Sequence, residues 1–340
     1  PNKWIYPRPD TVSKLADAVD SYDRVLVRGT PATGKTTLRE LLHNYYLDHH
    51  RTVYWLPSWA PMKSRGRSPW RQFSRRLRRL YPEFDETWAS VPRKTVILID
   101  EAQGSYHDAI FWNTVIKDHS FGLCPASIKI CLFAHYGDPV TAVEWTDEYC
   151  PARWNGEMHV TLTPQPGRFS PCSPDIGLLY TESEFREVVT HLTAVKFDDK
   201  FAVDDTAMDY LYKLTSAHPG VVTAVVEVLY TEHRDLIKQG KIHTITMDHA
   251  LEVLKDKGQF FRSLMQYAAG RSFPDHHDST FTSKVVDVLG QILAKGSIRF
   301  DIKDVAMRTC YERGWAHRSS GLEWDEDENV LVLPSHVHEM

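Results

Sequence analysis

The segment Gly29-Thr30-Pro31-Ala32-Thr33-Gly34-Lys35-Thr36 matches the phosphate-binding pattern G-x-x-x-x-G-K-[S/T] in full. It follows a short apolar run, RVLV (24–27), and it precedes a helix-forming run, TTLRELLHNYYLDHH (36–50). The pattern requires this strand–loop–helix context. The two glycines let the backbone wrap around a phosphate, and the loop N–H groups and the helix start attract the anion. The stretch therefore predicts a nucleoside-triphosphate site.

The last residues of this loop have distinct expected roles. The ammonium group of Lys35 is expected to reach the β- and γ-phosphates, and the hydroxyl of Thr36 to bind Mg²⁺. Thr37, in the first turn of the helix, is included in the expected nucleotide site. The sequence alone thus predicts a nucleoside triphosphate and Mg²⁺ as cofactors.

A second polar cluster follows the apolar run TVILI (95–99), which ends in Asp100 and Glu101. Ligands bind at the carboxyl ends of parallel strands, so two acids at this point predict a metal-and-water site. Asp100 is expected to hold Mg²⁺ through water, and Glu101 to orient or deprotonate the attacking water. His135, after IKICLFA (128–134), is either a contact to the γ-phosphate or the water, or an ordinary loop histidine.

The alternation of apolar runs and helices predicts a parallel sheet covered on both faces. We therefore expect a three-layer α/β P-loop NTPase core of the additional-strand type, with a catalytic glutamate, over residues 1–180. A fifth strand is expected from EMHVTLT (157–163) or DIGLLYT (175–181). A helical lid is expected over 181–270, including one helix at 245–268, and a winged-helix-like domain over 271–340.

Composition restricts the protein class. The chain has 340 residues, 42% of them hydrophobic, 25% charged, and a formal net charge of −5. No apolar run is long enough to span a bilayer, and the first residues lack the apolar stretch of a signal peptide. The five cysteines include no Cys-x-x-Cys pair, which disfavours a zinc ribbon and a disulfide framework. We expect a soluble, intracellular protein without a membrane partner.

A basic stretch at residues 63–79 contains no acidic residue. Its interleaved aromatic residues, together with Trp59, are typical of sites that bind DNA or RNA. The same arginines would also suit a contact with a neighbouring subunit, or a solvated helix face, and the sequence leaves all three interpretations open. The basic residues are Lys63, Arg65, Arg67, Arg71, Arg75, Arg76, Arg78 and Arg79, and the aromatic ones are Trp70 and Phe73.

Four segments together resemble the AAA-type ATPase region of fungal Crinkler and Crinkler-like proteins, which are related to STAND and origin-recognition-like ATPases. They are RGTPATGKTTL (28–38), ILIDEAQGSYHDAIFWNTVIK (97–117), CLFAHYGDP (131–139) and LTSAHPGVVTAVVEVL (214–229). The resemblance implies ATP as the nucleotide. It also implies that His218, Pro219 and Gly220 sense the bound phosphates, while Pro219 is equally suited to starting a helix. By the same resemblance, Tyr6, Pro7 and Arg8 lie on the adenine side. A Crinkler-type effector would be secreted and delivered to the host nucleus.

The sequence is compatible with three functions. The first is Mg²⁺-dependent ATP hydrolysis that regulates or powers an attached effector, and the second is a slow nucleotide switch acting through homo-oligomerisation. The third is a DNA- or RNA-binding module with secondary ATPase activity. In the winged-helix-like region the acidic segment WDEDEN (324–329) would repel phosphate, so packing is favoured over DNA binding there. Arg153 and Arg168 are candidates for an arginine that acts on a neighbouring subunit.

Overall fold

A computed structural model describes residues 3–59, 62, 68–137, 156–164, 174–275, 277–320 and 329–340. The chain divides into two compact units. The α/β unit comprises Pro9–Gly29 and Lys35–Gly177, and the helical unit comprises Pro1–Arg8, Thr30–Gly34 and Leu178–Met340. The domain limits predicted after residues 180 and 270 stay a prediction.

The α/β unit contains one parallel sheet of five strands. They are β1 (Arg24–Arg28), β2 (Val53–Leu56), β3 (Thr95–Ile99), β4 (Ile128–Ala134) and β5 (His159–Val160), and their order in the sheet is β2-β3-β4-β1-β5. Strand β4 therefore lies between β1, which leads into the phosphate loop, and β3, which ends directly before Asp100. This inserted strand defines the additional-strand type, so the predicted fold class is confirmed.

Helices flank this sheet, and β3 and β4 are buried along their whole length. Their largely apolar sequences follow from this, because a strand covered on both faces has no solvent-facing position. The exceptions are Thr95 and Lys129, and the Lys129 ammonium group pairs with Asp23. The fifth strand comes from the first of the two predicted segments, and 175–181 forms no strand. The helices are α1 (Pro9–Tyr22), α2 (Lys35–Asp48), α3 (Pro69–Leu80) and, after a π-helical segment at Phe111–Ile116, α4 (Lys117–Ser120).

The helical unit begins its main bundle at Thr181, whose side chain and that of Glu184 form a capping box. The bundle contains α5 (Glu182–Phe197), α6 (Asp205–Thr215), α7 (Pro219–Lys238), α8 (Met247–Lys255), α9 (Lys257–Leu264) and the short strands β6 (Ala202–Val203) and β7 (Thr244–Ile245). The single helix predicted over 245–268 is wrong. Asp256 leaves the helical conformation, with φ −92° and ψ 84°, and its side chain caps α9 by accepting the Gln259 N–H at 2.9 Å.

The C-terminal part of the helical unit contains three helices and three short strands. They are α10 (Ser283–Lys295), β8 (Ile298–Arg299), α11 (Val305–Arg313), β9 (His317–Ser320), β10 (Asn329–Val332) and α12 (His336–Glu339). The strands form an antiparallel sheet with the order β8-β10-β9. None of the described helices is both long and apolar enough to cross a membrane.

Candidate nucleotide site

The phosphate loop begins directly after β1, and its first residue is hydrogen-bonded to the neighbouring strand β4. The N–H of Gly29 donates to the carbonyl of Ala134, the last residue of β4, over 3.1 Å. Lys35 is the first residue of α2, and its Nζ donates to the Gly29 carbonyl at 2.7 Å. The ammonium group therefore reaches back across the loop that precedes its own helix, which is the direction needed for a contact with phosphates bound there.

The middle of the loop, Thr30–Gly34, belongs to the helical unit. The Thr33 hydroxyl donates to the Thr30 carbonyl at 2.8 Å, and this bond closes a tight turn. Ala32 and Gly34 both have positive φ, 61° and 80°. Such backbone geometry is unusual for alanine, and successive left-handed and right-handed residues form the N–H nests that bind anions.

Two side-chain oxygens suited to Mg²⁺ lie together beside the start of α2. Asp100 is buried, and the Thr36 hydroxyl lies near enough to its carboxylate to lower the pKa of that group. Burial raises the pKa of Asp100, while hydrogen bonds from the Glu101 N–H and Thr36 and the charge of Arg39 act against this rise. Hydroxyl and carboxylate oxygens are the ligands that Mg²⁺ prefers, so this pair fits the ion.

Arg39 is a part of this cluster that the sequence did not reveal. Its Nε lies 3.8 Å from Oδ2 of Asp100, and its guanidinium group stacks 4.0 Å from the centroid of the Trp55 ring. Arg39 is buried, so its charge is poorly screened by water. It lies one helical turn after Lys35, and this spacing was the only available signal.

Glu101 sits at the end of β3 in the left-handed conformation, with φ 49°. Its carboxylate accepts a hydrogen bond from the Gln103 side-chain amide, and its Oε2 lies 3.7 Å from Nδ1 of His135. His135 chiefly lowers the pKa of Glu101 to about 2, and Gln103 and the charge of Lys35 act in the same direction. The carboxylate is therefore ionised at neutral pH, as a group that orients or deprotonates water must be.

Gln103 and Tyr106 hold the ends of β3 and β4 together. The Gln103 side-chain oxygen accepts a hydrogen bond from the backbone N–H of His135 at 3.3 Å. Gln103 therefore bonds both Glu101 and His135. The buried Tyr106 hydroxyl lies 2.8 Å and 2.9 Å from the carbonyls of Tyr136 and Gly137. Neither side chain was assigned a role from sequence, because both act through contacts with a distant part of the chain.

The residues expected to sense the phosphates lie in the helical unit. His218 is fully buried and caps α7, where its Nδ1 accepts the Val221 N–H at 3.4 Å. Pro219 is the first residue of α7 and lies against Gly34, since a Cβ built on that glycine would be 3.6 Å from the Pro219 Cβ. The N–H of Gly220 donates to the Ala32 carbonyl at 2.9 Å. Their role as sensors stays a prediction.

The predicted adenine-side residues connect the N-terminus to α5. The Tyr6 hydroxyl donates to the Glu187 carboxylate. Arg8 forms two bonds of 3.0 Å with the Glu184 carboxylate and one of 3.1 Å with the Leu178 carbonyl. Pro7, between them, is exposed. These contacts fix the position of the segment within the helical unit, and a contact of Tyr6 or Pro7 with adenine stays a prediction.

The basic stretch forms α3, whose arginines differ in their surroundings. Arg75 and Arg78 both pair with Glu86, at 3.3 Å and 3.2 Å. Arg76 is half-buried and lies 4.5 Å from the centroid of the Trp59 ring. Arg71 and Arg79 are exposed and have no ion-pair partner within the described part of the chain.

The aromatic residues of this stretch are core residues. Trp59, Trp70 and Phe73 are buried, and the indole N–H groups of the two tryptophans donate to Asp108 and Asp118, at 3.0 Å and 2.9 Å. They therefore do not form the surface for stacking bases that their interleaving with arginines suggested. Five basic candidates lie outside the described residues: Lys63, Arg65, Arg67, Arg153 and Arg168.

The comparisons with known proteins show the fold alone. No family model and no curated protein matches the sequence. Among solved structures, the chain is similar to the Walker-type ATPase PABY2304 of Pyrococcus abyssi, at 14% identity and a TM-score of 0.51, covering 98% of this chain and 95% of that one. Together with the strand order, this similarity identifies the fold of the α/β unit as that of a P-loop NTPase.

Two further structures are more distant in shape. They are the RuvB Holliday junction branch migration motor of Thermotoga maritima (13% identity, TM-score 0.43, 96% of this chain and 91% of that chain) and Cdc6p from Pyrobaculum aerophilum (10%, 0.43, 98% and 91%). None of the comparisons supports the resemblance to Crinkler-like proteins.

Proposed function

We propose that this chain is a Mg²⁺-dependent ATPase. The observation that carries the proposal is the cluster at the carboxyl ends of β3 and β4. There, the buried Asp100 lies near Thr36, and the Glu101 carboxylate bonds Gln103 and lies 3.7 Å from His135. A buried strand gains no stability from two terminal acids, whereas hydrolysis needs one acid at the metal and one at the water.

The residues present fit a nucleotide and its metal. The loop offers glycines and left-handed backbone where phosphates would bind, and Lys35 supplies a positive charge beside it. Thr36 and Asp100 would hold Mg²⁺, which neutralises phosphate charge when it is bound. Glu101 accepts a proton from, or orients, the attacking water, and Gln103 and His135 keep its carboxylate in place. ATP as the nucleotide rests on the sequence resemblance.

Steady-state hydrolysis by two variants tests the proposal. Lys35→Ala is expected to lose nucleotide binding and turnover together. Glu101→Gln keeps the shape of the side chain but removes its negative charge, so it is expected to bind ATP normally and to hydrolyse it about 10²-fold more slowly. Glu83→Gln, an exposed carboxylate of the same unit, is the matched control and should keep wild-type turnover. Wild-type turnover by Glu101→Gln would contradict the assignment.

A slow nucleotide switch that acts through homo-oligomerisation is the second candidate. It uses the same binding residues, and it differs in predicting a single slow turnover accompanied by a nucleotide-dependent change in molecular size. Single-turnover hydrolysis and size-exclusion chromatography with ADP and ATP separate the two. Multiple rapid turnovers at constant size favour the ATPase.

The role within a larger protein rests on the sequence resemblance alone. On that basis the ATPase regulates or powers an effector activity attached to it, and the effector is secreted and acts in the nucleus of a host cell. Action on DNA or RNA through residues 63–79 belongs to the same proposal. Turnover measured with and without DNA tests it, and an unchanged rate would count against it.

A further inference from the structure

The end of α11 lies against the phosphate loop within the helical unit. Gly314 ends this helix in the left-handed conformation, with φ 73°. A Cβ built on Gly314 would lie 2.2 Å from Cδ and 3.1 Å from Cγ of Pro31. Because atoms cannot approach so closely, the ring of Pro31 occupies the space that any side chain at position 314 would need.

The neighbouring loop residue is held from another side. The Gly220 N–H donates to the Ala32 carbonyl at 2.9 Å, and a Cβ on Gly220 would lie 2.6 Å from the Ala32 Cβ. Two glycines thus let two helix ends, the start of α7 and the end of α11, meet consecutive residues of the loop. These contacts restrain Pro31 and Ala32, and Ala32 has the positive φ of 61° on which the nest depends.

The α11 end is itself firmly placed. Trp315 N–H donates to the Cys310 carbonyl at 2.9 Å, and Trp315 and Ala316 are buried before the chain enters β9. Displacing Gly314 from Pro31 therefore requires movement of α11 with the hairpin that follows. A loop restrained in its binding conformation loses less freedom when a phosphate binds, so the restraint increases affinity.

We infer that the end of α11 clamps the phosphate loop through Gly314 and Pro31, so that a bound nucleoside diphosphate dissociates slowly while the clamp is in place. This inference rests on the proposed nucleotide site and adds a regulator of it. Coupling between two parts of a protein is reciprocal. Nucleotide binding therefore stabilises the seated position of α11, and anything that pulls the C-terminal helices and hairpin away accelerates exchange.

Dissociation of a fluorescent ADP analogue from the full chain, followed by stopped flow, tests the clamp. Gly314→Ala is expected to dissociate about tenfold faster than wild type. Gly296→Ala is the matched control, because Gly296 also ends a helix, has φ 76°, and has no atom within 4 Å of a built Cβ. At Gly296 ψ is −31°, outside the left-handed region that Gly314 adopts with ψ 20°, so backbone strain does not favour the control. Only the side chain at position 314 meets Pro31. Equal rates for the two variants would overturn the inference.

The reverse substitution removes the risk that Gly314→Ala merely unfolds α11. Pro31→Ala deletes Cγ and Cδ and keeps Gly314, so it is expected to speed dissociation several-fold in a normally folded chain. A double variant combines Pro31→Ala with Gly314→Ala. Without the Pro31 Cγ and Cδ, the nearest remaining atom to a Cβ at position 314 is the backbone N of residue 31, at 3.4 Å. Gly314→Ala should therefore add less than about twofold in that background, where 3.4 Å is an ordinary van der Waals contact.

The outcomes separate this inference from the function on which it rests. A wild-type chain that binds neither the ADP nor the ATP analogue contradicts the proposed nucleotide site. A wild-type chain that binds the analogue, together with a tenfold effect of Gly314→Ala that persists in the Pro31→Ala background, contradicts the clamp alone.

Discussion

The strand ends of the α/β unit and its helix α3 both combine charged and apolar residues, but in opposite arrangements. At the ends of β3 and β4, Glu101 has a bonding partner in Gln103 and lies near His135. On α3, the apolar rings point into the core, and Arg71 and Arg79 have no ion-pair partner within the described residues. A charged side chain that is fixed by hydrogen bonds at a strand end indicates a functional site. A series of charged residues on a helix surface is also compatible with simple solvation.

The largest expected difference is in stability, between a substitution on the buried face of α3 and one on its exposed face. Phe73 is fully buried among aromatic rings, with Trp88 stacked at a centroid distance of 5.8 Å. Phe73→Ala removes this packing and is expected to lower the free energy of unfolding by about 3–5 kcal/mol. Arg71→Ala, two residues earlier and exposed, should change it by less than about 0.5 kcal/mol. Urea denaturation measures both.

The opposite result would support the prediction from sequence that these aromatic residues belong to a site for DNA or RNA. If Phe73→Ala kept wild-type stability and lost binding to single-stranded DNA, the ring would be a stacking surface and not part of the core.

At the strand ends, an intermediate effect is expected from the residue that holds the catalytic carboxylate. Gln103→Ala removes the hydrogen bonds to Glu101 and to the His135 N–H. A hydrogen bond to a charged group contributes about 1.5 kcal/mol, so kcat should fall about tenfold, with the affinity for ATP unchanged. Gln291→Ala, exposed on α10, is the control. Direct binding and turnover measurements give both quantities.

The pH dependence distinguishes positioning from ionisation. The Gln103 bond lowers the pKa of Glu101, so its loss raises that pKa from about 2 toward the ordinary value of a glutamate. The carboxylate still loses its proton well below neutral pH, and the kcat profile between about pH 6 and about pH 8 should keep its shape. A new acidic limb in that range would mean that Gln103 sets ionisation and not position.

Strong local patterns allowed the core of the fold to be predicted from sequence. The runs 95–99 and 128–134 coincide with β3 and β4, because strands buried on both faces consist mainly of apolar residues. The phosphate loop and the Asp100–Glu101 pair were recognisable because both are defined by neighbours in the chain. The break at Asp256 was missed, since an acidic residue inside a helical pattern is also compatible with a continuous helix.

Contacts between distant segments could not be read from sequence. Gln103 meets His135, and Gly314 meets Pro31, across long intervals of chain that no local pattern connects. On α3 the sequence did contain the pattern of a buried helix face, but the many arginines favoured a nucleic-acid site instead. Trp70, Phe73 and Leu77 are spaced by three and four residues, which is the period of a buried helix face.

The smallest expected effect concerns the outer face of α3 and the choice among its three interpretations. Arg71→Gln with Arg79→Gln removes two cations without ion-pair partners in the described structure. If they contact phosphates, the slope of log affinity for single-stranded DNA against log salt should fall by about 1.4, at about 0.7 per phosphate. Arg75→Gln with Arg78→Gln is the matched control, and it should change the slope less because both cations already pair with Glu86. Equal slopes in all three proteins indicate a solvated face. A loss of turnover that depends on protein concentration, without DNA, indicates a subunit contact.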